Sequence, residues 1–336
     1  MDLPWPEPWD RLRLHVVTGK GGTGKTTVAA ALALALAATG QRVLLAEVES
    51  RQSLARLFDS APLNYAETRI AVTRNGGEVV GLSVDAEDSL LEYLEMFYGM
   101  RRAASALRKL GVVDFATTIA PGVRDVLLFG KVYETARRRV NGSPAYDTVV
   151  LDAPPTGRVA RFLTASREVS TLARMGPIKN QSDSMMRLLS GREAVVHIVT
   201  LLEEMPVQET VDAVADLKAN NLTPGAIFVN LISEPLLGPA DLAAALRGAG
   251  ASGELSRADV TGALAQSGLR LSSRSVNSLL SLGRSHAERV ELAERHEATL
   301  VNLGLPLLRL PVLTGGIDLG ALYELADVLT EQGVGT

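Results

Sequence analysis

The chain has 336 residues, with 34 Lys+Arg against 38 Asp+Glu for a formal net charge of −4, 46% hydrophobic and 4% aromatic residues, and no cysteine. That length supplies a core for one large domain or two modest ones, and a charge balance this close to neutral argues against a general nucleic-acid coat. The missing cysteines exclude a disulfide framework, a thiolate metal site, a cysteine nucleophile and an iron–sulfur centre held by this chain.

The opening segment, Met1 to Trp9, has neither a basic nor an apolar leader stretch. Leu12 to Thr18 reads as a strand. A Gly-rich turn follows, and then an Ala/Leu run from Val28 to Ala38, which Thr39-Gly40 stops. Its eleven residues are the longest apolar run, well short of the ~20 needed to span a bilayer. We therefore expect a buried helix in a soluble, cytoplasmic protein, with any membrane contact peripheral and at the inner face.

Arg42 to Val48 is a second apolar strand, so the chain opens with a βαβ unit. Arg69 to Thr73 and Glu78 to Val84 flank Asn75-Gly76-Gly77 as a hairpin. From Ala86 to Arg139 the pattern is helical, with Leu90, Leu94 and Phe97 in a stripe; Tyr146 to Asp152 is a buried strand, and Met175 to Leu189 is helical again. The strands Val195 to Leu201 and Ala226 to Leu231 bracket an amphipathic helix, Val207 to Asn220. Gly238 to Ser273 is polar and looks the least structured, Ser275 to Leu300 reads as one long exposed helix, and Leu307 to Val312 and Leu319 to Leu329 close with a strand and a helix. The expected fold is α/β: a single domain over 1–336 with a mostly parallel central sheet flanked by helices. Helical insertions at about 86–140 and 163–192 form a subdomain, and a variable helical segment spans about 238–300.

Gly19-Lys20-Gly21-Gly22-Thr23-Gly24-Lys25-Thr26 fits G-x-x-x-x-G-K-[ST] between a strand and a helix, the context that makes this pattern a phosphate-binding P-loop. Backbone N–H groups at Gly21, Gly22, Thr23, Gly24, Lys25, Thr26 and Thr27 would wrap the phosphates at a helix N-terminus. Lys25 would reach the β/γ-phosphates and the Thr26 hydroxyl would ligate Mg²⁺. Val149-Val150-Leu151-Asp152 is an apolar strand ending in an acid, which would hold the Mg²⁺ hydration shell. The expected cofactors are ATP and Mg²⁺.

The loop from Lys20 to Thr27, with Asp152-Ala153-Pro154-Pro155-Thr156-Gly157-Arg158 running into Arg161-Phe162-Leu163, resembles the anion-transporting ATPase (ArsA) family, which includes ATPases that deliver tail-anchored membrane proteins. Pro206-Val207-Gln208-Glu209-Thr210, Val229-Asn230 and Leu310-Pro311-Val312 are similar to further family markers, so the likeness spans nearly the whole chain. The resemblance implies an ATPase that works as a dimer, with Lys20 reaching the partner's nucleotide, a task shared with an arginine finger supplied in trans. It also implies that Asn230 reads the adenine edge and that Pro311 and Val312 pack against its face. A strand-end residue and a core turn explain these three as well.

Three departures qualify the resemblance. Glu49 stands where the family has the Asp that positions the attacking water, and one extra methylene shifts a carboxylate by about an ångström, enough to cost ~100-fold. Glu47, two residues away on the same side of the strand, is a second candidate or a partner to Glu49. Arg158 replaces a His and cannot accept a proton. Lack of cysteine removes thiol-bound arsenite and the family's Cys-x-x-Cys zinc clamp, and His15, His197, His286 and His296 show no ligand spacing.

Met96, Met100, Met175, Met185 and Met186 fall in the helical patches; core filling explains them better than a client groove does. The basic clusters Arg101-Arg102, Arg108-Lys109 and Arg137-Arg138-Arg139 read best as solvated helix faces. The expected function is a dimeric Mg-ATPase with catalytic Lys20, Lys25 and Glu49. It would couple nucleotide state to opening and closing on a hydrophobic protein client or a membrane-associated partner, without zinc or nucleic acid, with an identical or a homologous second subunit. The alternatives are a weakly hydrolysing scaffold subunit and a partition or positioning ATPase; the polar end, Glu331 to Thr336, lacks the basic amphipathic helix that the latter would want.

Overall fold

The computed structural model describes residues 9–48, 52–98, 122–172, 177–247, 253 and 255–335. The elements run β1 (Leu14–Gly19), α1 (Lys25–Ala38), β2 (Arg42–Val48), α2 (Ser53–Leu57), β3 (Thr68–Val72), β4 (Glu78–Val84), α3 (Ala86–Tyr98) and α4 (Val123–Arg137). A small hairpin, β5 (Arg139–Val140) and β6 (Ser143–Pro144), precedes β7 (Thr148–Asp152), α5 (Thr156–Leu172), α6 (Pro177–Leu189), β8 (Ala194–Thr200), α7 (Glu204–Ala219) and β9 (Pro224–Ile232). Then come α8 (Pro239–Leu246), α9 (Arg257–Gln266), α10 (Ser273–Val301), β10 (Leu307–Pro311) and α11 (Leu319–Glu331).

The fold is α/β. Eight strands form one sheet in the order β10-β9-β8-β1-β7-β2-β4-β3. Neighbours are parallel except β3, which turns back against β4 as the hairpin pattern predicts. Helices cover both faces, so the central strands are apolar at consecutive positions instead of alternating; β1 and β8 are buried along their whole length. Successive side chains still go to opposite layers. Leu14, Val16, Leu44 and Ala46 join one core, while Val17, Val43 and Leu45 join the other.

The second of these cores lies under α1 and α11. Small side chains let α1 bury every residue from Val28 to Ala37, and it packs closely on α11 through Leu322, Leu325, Ala326 and Leu329. On the opposite face α4, α5, α6 and α7 supply Phe129, Phe162, Leu189 and Leu217, with the Phe129 and Phe162 rings edge to face at 6.1 Å. Met185 is part of this core and Met186 packs against it. The side chain of Met96, together with Met100, Met175 and the clusters at 101–102 and 108–109, lies outside the described residues.

The described residues between Gly238 and Ser273 form two helices that polarity alone does not predict. It contains α8, which Gly238 caps and Pro239 begins, and α9, which a capping box between Ser256 and Asp259 starts. None of α9's residues is buried, so no apolar stripe announces it. Long α10 is exposed as expected, with Val276, Ala287 and Leu300 its buried positions.

The sheet also carries a polar pair that spacing does not reveal. Strands β1 and β8 pair with His15 opposite Val195 and Val17 opposite His197, which makes the two histidines diagonal neighbours. Both are buried, and Trp9 stacks on His15 at 5.2 Å while the imidazoles stack at 5.3 Å. The Ala226 N–H donates to His197 Nδ1 at 3.0 Å, which leaves the proton on His197 Nε2 to donate to His15 Nδ1, also at 3.0 Å. Burial pushes the His197 pKa down to about 3, and burial together with His197 holds His15 well below the usual imidazole range.

Candidate active site

The turn between β1 and α1 is shaped by close backbone approaches. Gly19 lies where a Cβ would meet the Val199 carbonyl oxygen at 2.2 Å. Gly24 caps α1 with φ at +86°, a left-handed conformation that favours glycine, and a Cβ there would stand 2.4 Å from Asn230 Nδ2. Thr23 fixes the loop from within, since its hydroxyl and its N–H both donate to the Lys20 carbonyl, at 2.9 and 3.3 Å. No side chain caps α1, so the N–H groups of its first turn remain directed into the loop, as an anion site requires. Around Gly21 and Gly22 a Cβ would meet nothing within 4 Å, so the loop is open on that side.

The two residues assigned to Mg²⁺ lie together. Thr26 Oγ1 donates to Asp152 Oδ2 at 2.6 Å, joining the start of α1 to the end of β7. Lys25 is half-buried beside them, and among the described residues none pairs with its ammonium. The segment after Asp152 is tied to β1: the Ala153 N–H donates to the Val17 carbonyl at 2.9 Å and the Thr18 hydroxyl to the Pro154 carbonyl at 2.7 Å. Arg158, in the first turn of α5, is 58% exposed and lies 3.9 Å from Asp125 of α4.

Lys20 is an ion-pair partner of Glu209 on α7, Nζ to Oε1 at 3.0 Å, and the other carboxylate oxygen of Glu209 accepts from the Thr156 hydroxyl at 3.1 Å. Pro206 to Thr210 is legible in the sequence as a marker without a task, and the contact gives Glu209 one. No spacing rule reaches from a loop lysine to a helix so far along the chain.

Glu47 lies beside Asp152 on the neighbouring strand and turns its carboxylate to backbone N–H groups. The residue is 2% exposed, and its carboxylate accepts from the N–H groups of Gln52 at 3.1 Å and Leu54 at 3.3 Å, holding the start of α2. Hydrogen bonds to a charged acceptor are worth about 1.5–3 kcal/mol each, so these two tie the carboxylate to the start of α2. Glu49 lies outside the described residues.

Asn230, Pro311 and Val312 gather at the edge of the loop. Asn230 is buried and its Nδ2 donates to the Thr23 carbonyl at 2.9 Å, leaving its carbonyl oxygen as the group that could read a base edge. The adjoining Leu231 takes φ of +57°, so β9 bends directly after Asn230. On the next strand Pro311 pairs with Ile232, and the Val312 N–H donates to the Ile232 carbonyl at 2.9 Å with 46% of Val312 exposed.

Comparison with known proteins shows the family of the chain. The profile of the family described as Anion-transporting ATPase (ArsA) matches residues 12–195, from β1 through the first residues of β8. ATPase BagA of Mycobacterium tuberculosis is 48% identical over 331 residues, covering 98% of this chain and 96% of that protein. ATPase GET3 of Mycosarcoma maydis is 26% identical over 259 residues, 67% of this chain and 74% of its own length. An Aquifex aeolicus protein named provisionally as an arsenical pump-driving ATPase is 26% identical over 196 residues, 57% of this chain and 62% of its own. Among the described residues no helix is long and apolar enough to cross a membrane. With a matching profile over more than half its length and a relative similar nearly from end to end, this chain belongs to the anion-transporting ATPase (ArsA) family.

Proposed function

We propose that the chain binds and hydrolyses ATP with Mg²⁺ and works as a dimer, with an identical or homologous subunit, that opens and closes on a hydrophobic client. The observation that carries the nucleotide reading is the 2.6 Å contact of Thr26 with Asp152 at the start of an uncapped buried helix. A hydroxyl and a carboxylate are hard oxygen donors of the kind Mg²⁺ takes, and nothing soft or imidazole-bearing is needed. When bound, the ion neutralises charge on the phosphate oxygens.

The chain's own groups divide the remaining work. Gly21 to Thr27 present N–H groups to the phosphates, Lys25 adds a cation to them, and Lys20 adds one to the nucleotide of the second subunit. The Asn230 carbonyl oxygen orients the base, and the exposed Val312 covers it. Glu49 is the carboxylate assigned to the attacking water. A client bound through thiol-coordinated arsenic does not suit a chain without cysteine, and this separates the reading from the arsenical role in the name of the Aquifex protein.

Single-turnover hydrolysis on wild type, Lys25→Ala and Glu49→Gln tests the activity. Wild type turning over faster than Glu49→Gln, with turnover lowered in Lys25→Ala, supports the ATPase. Wild type that binds Mg-ATP and hydrolyses it no faster than Glu49→Gln leaves a nucleotide-binding scaffold instead. Sizing with a non-hydrolysable analogue, alone and with proteins that co-purify from the native source, tests the dimer.

A further inference from the structure

The pairing of Lys20 with Glu209 is an intramolecular use of the lysine that the proposed function sends across a dimer interface. Glu209 holds two things at once: Oε1 takes the Lys20 ammonium at 3.0 Å and Oε2 takes the Thr156 hydroxyl at 3.1 Å. Thr156 is the first residue of α5, four positions after Asp152, and α5 packs against α7 where Glu209 sits. The carboxylate therefore also lies at the positive end of α5. One side chain joins the phosphate loop to the segment that follows the Mg²⁺-side carboxylate.

We infer that Glu209 is a positioning residue that keeps Lys20 folded back on its own chain until a nucleotide-bearing partner takes the lysine over. Because the same carboxylate holds Thr156, surrender of Lys20 also loosens the start of α5. The inference rests on the reading that Lys20 acts in trans. Exposure sets the strength: with the two side chains 30% and 35% exposed, such a pair shifts an equilibrium by at most about five-fold. Phosphate oxygens in a closing, water-poor interface bind a lysine more strongly than that. The contact is weak enough to be handed over and specific enough to set a threshold.

Two measurements test it on the full chain. First, acetic anhydride labelling of the nucleotide-free protein, read by peptide mass spectrometry, reports the freedom of Lys20, with Lys218 as internal reference. Glu209→Gln should raise Lys20 labelling by about two- to five-fold, and Thr156→Val, which frees Oε2 without removing charge, should raise it by a smaller factor. An unchanged rate in Glu209→Gln overturns the holding role, and an unchanged rate in Thr156→Val overturns the link to α5.

Second, sedimentation velocity with Mg²⁺ and a non-hydrolysable ATP analogue reports the dimer. Glu209→Gln should tighten it by about two- to five-fold, and the same change in a Lys20→Ala background should do nothing. A weaker dimer, or an equal effect without Lys20, overturns the handover. Lys20→Ala that dimerises and hydrolyses like wild type removes the trans role, and the handover with it, while leaving the labelling result and the ATPase reading standing.

Discussion

The Thr26 hydroxyl donates to Asp152 Oδ2 at 2.6 Å, across 126 positions of sequence. Strand order explains the meeting: β7 lies beside β1, and the helix that follows β1 begins where β7 ends. Asp152→Asn should therefore raise the Mg²⁺ concentration for half-maximal hydrolysis by about 10- to 100-fold, the usual cost of disturbing a partner in a metal's surroundings. Nucleotide affinity without Mg²⁺ should change little. A Mg²⁺ titration that superimposes on wild type would remove Asp152 from the site.

Lys25 is half-buried beside that pair with no ion-pair partner among the described residues. Lys25→Ala should lower the single-turnover rate by about 10²- to 10³-fold, the scale of losing one pre-positioned electrostatic group. The melting temperature without nucleotide should stay close to wild type, because no ion pair among the described residues is lost. A large loss of thermal stability together with a small loss of rate would show that Lys25 is structural.

Gly24 joins the loop to the putting-in-place of Asn230. A methyl at Gly24 would be strained twice, by φ of +86° and by Asn230 Nδ2 at 2.4 Å, and a residue forced into such backbone costs about 1–3 kcal/mol. Gly24→Ala should lower stability by about that amount and displace Asn230 from the Thr23 carbonyl. Asn230→Ala should weaken preference for adenine over guanine nucleotides while retaining triphosphate binding. Competition binding of ATP and GTP distinguishes the two variants, and an unaltered ratio in Asn230→Ala would sever Asn230 from base recognition.

Much of this arrangement is legible in sequence because its parts are local. The run of Val28 to Ala38 announces a helix buried on most sides, and the Gly-rich turn before it announces the loop that opens α1. What stays hidden depends on register and on contacts between distant elements. Glu209 meets Lys20 through the packing of α7, and His15 meets His197 through a diagonal across two strands. Helix α2, five residues long, is too short to show a period and is held by the buried Glu47 carboxylate. Helix α9 buries nothing, so its cap at Ser256 and Asp259 is its clearest local sign.

The His15–His197 pair makes stability depend on pH in a defined sense. His197 titrates at about 3 in the folded chain and His15 well below its ordinary value, whereas both titrate near 6.5 when unfolded. Above that pH neither state carries the protons and the pair contributes no slope. As pH falls below it the unfolded chain takes up protons that the folded chain refuses, so stability is lost at about 1.4 kcal/mol per pH unit for each imidazole. Burial keeps both rings neutral, and the Ala226 N–H at His197 Nδ1, the His197 donation to His15 Nδ1 and the buried His15 Nε2 fix where their protons sit. Urea unfolding between pH 7.5 and 5 should show this slope, and His15→Phe, which keeps a ring under Trp9, should remove about half of the imidazole contribution. If His15→Phe and wild type lose stability in parallel as the pH falls, the acid sensitivity arises elsewhere and the pair titrates normally.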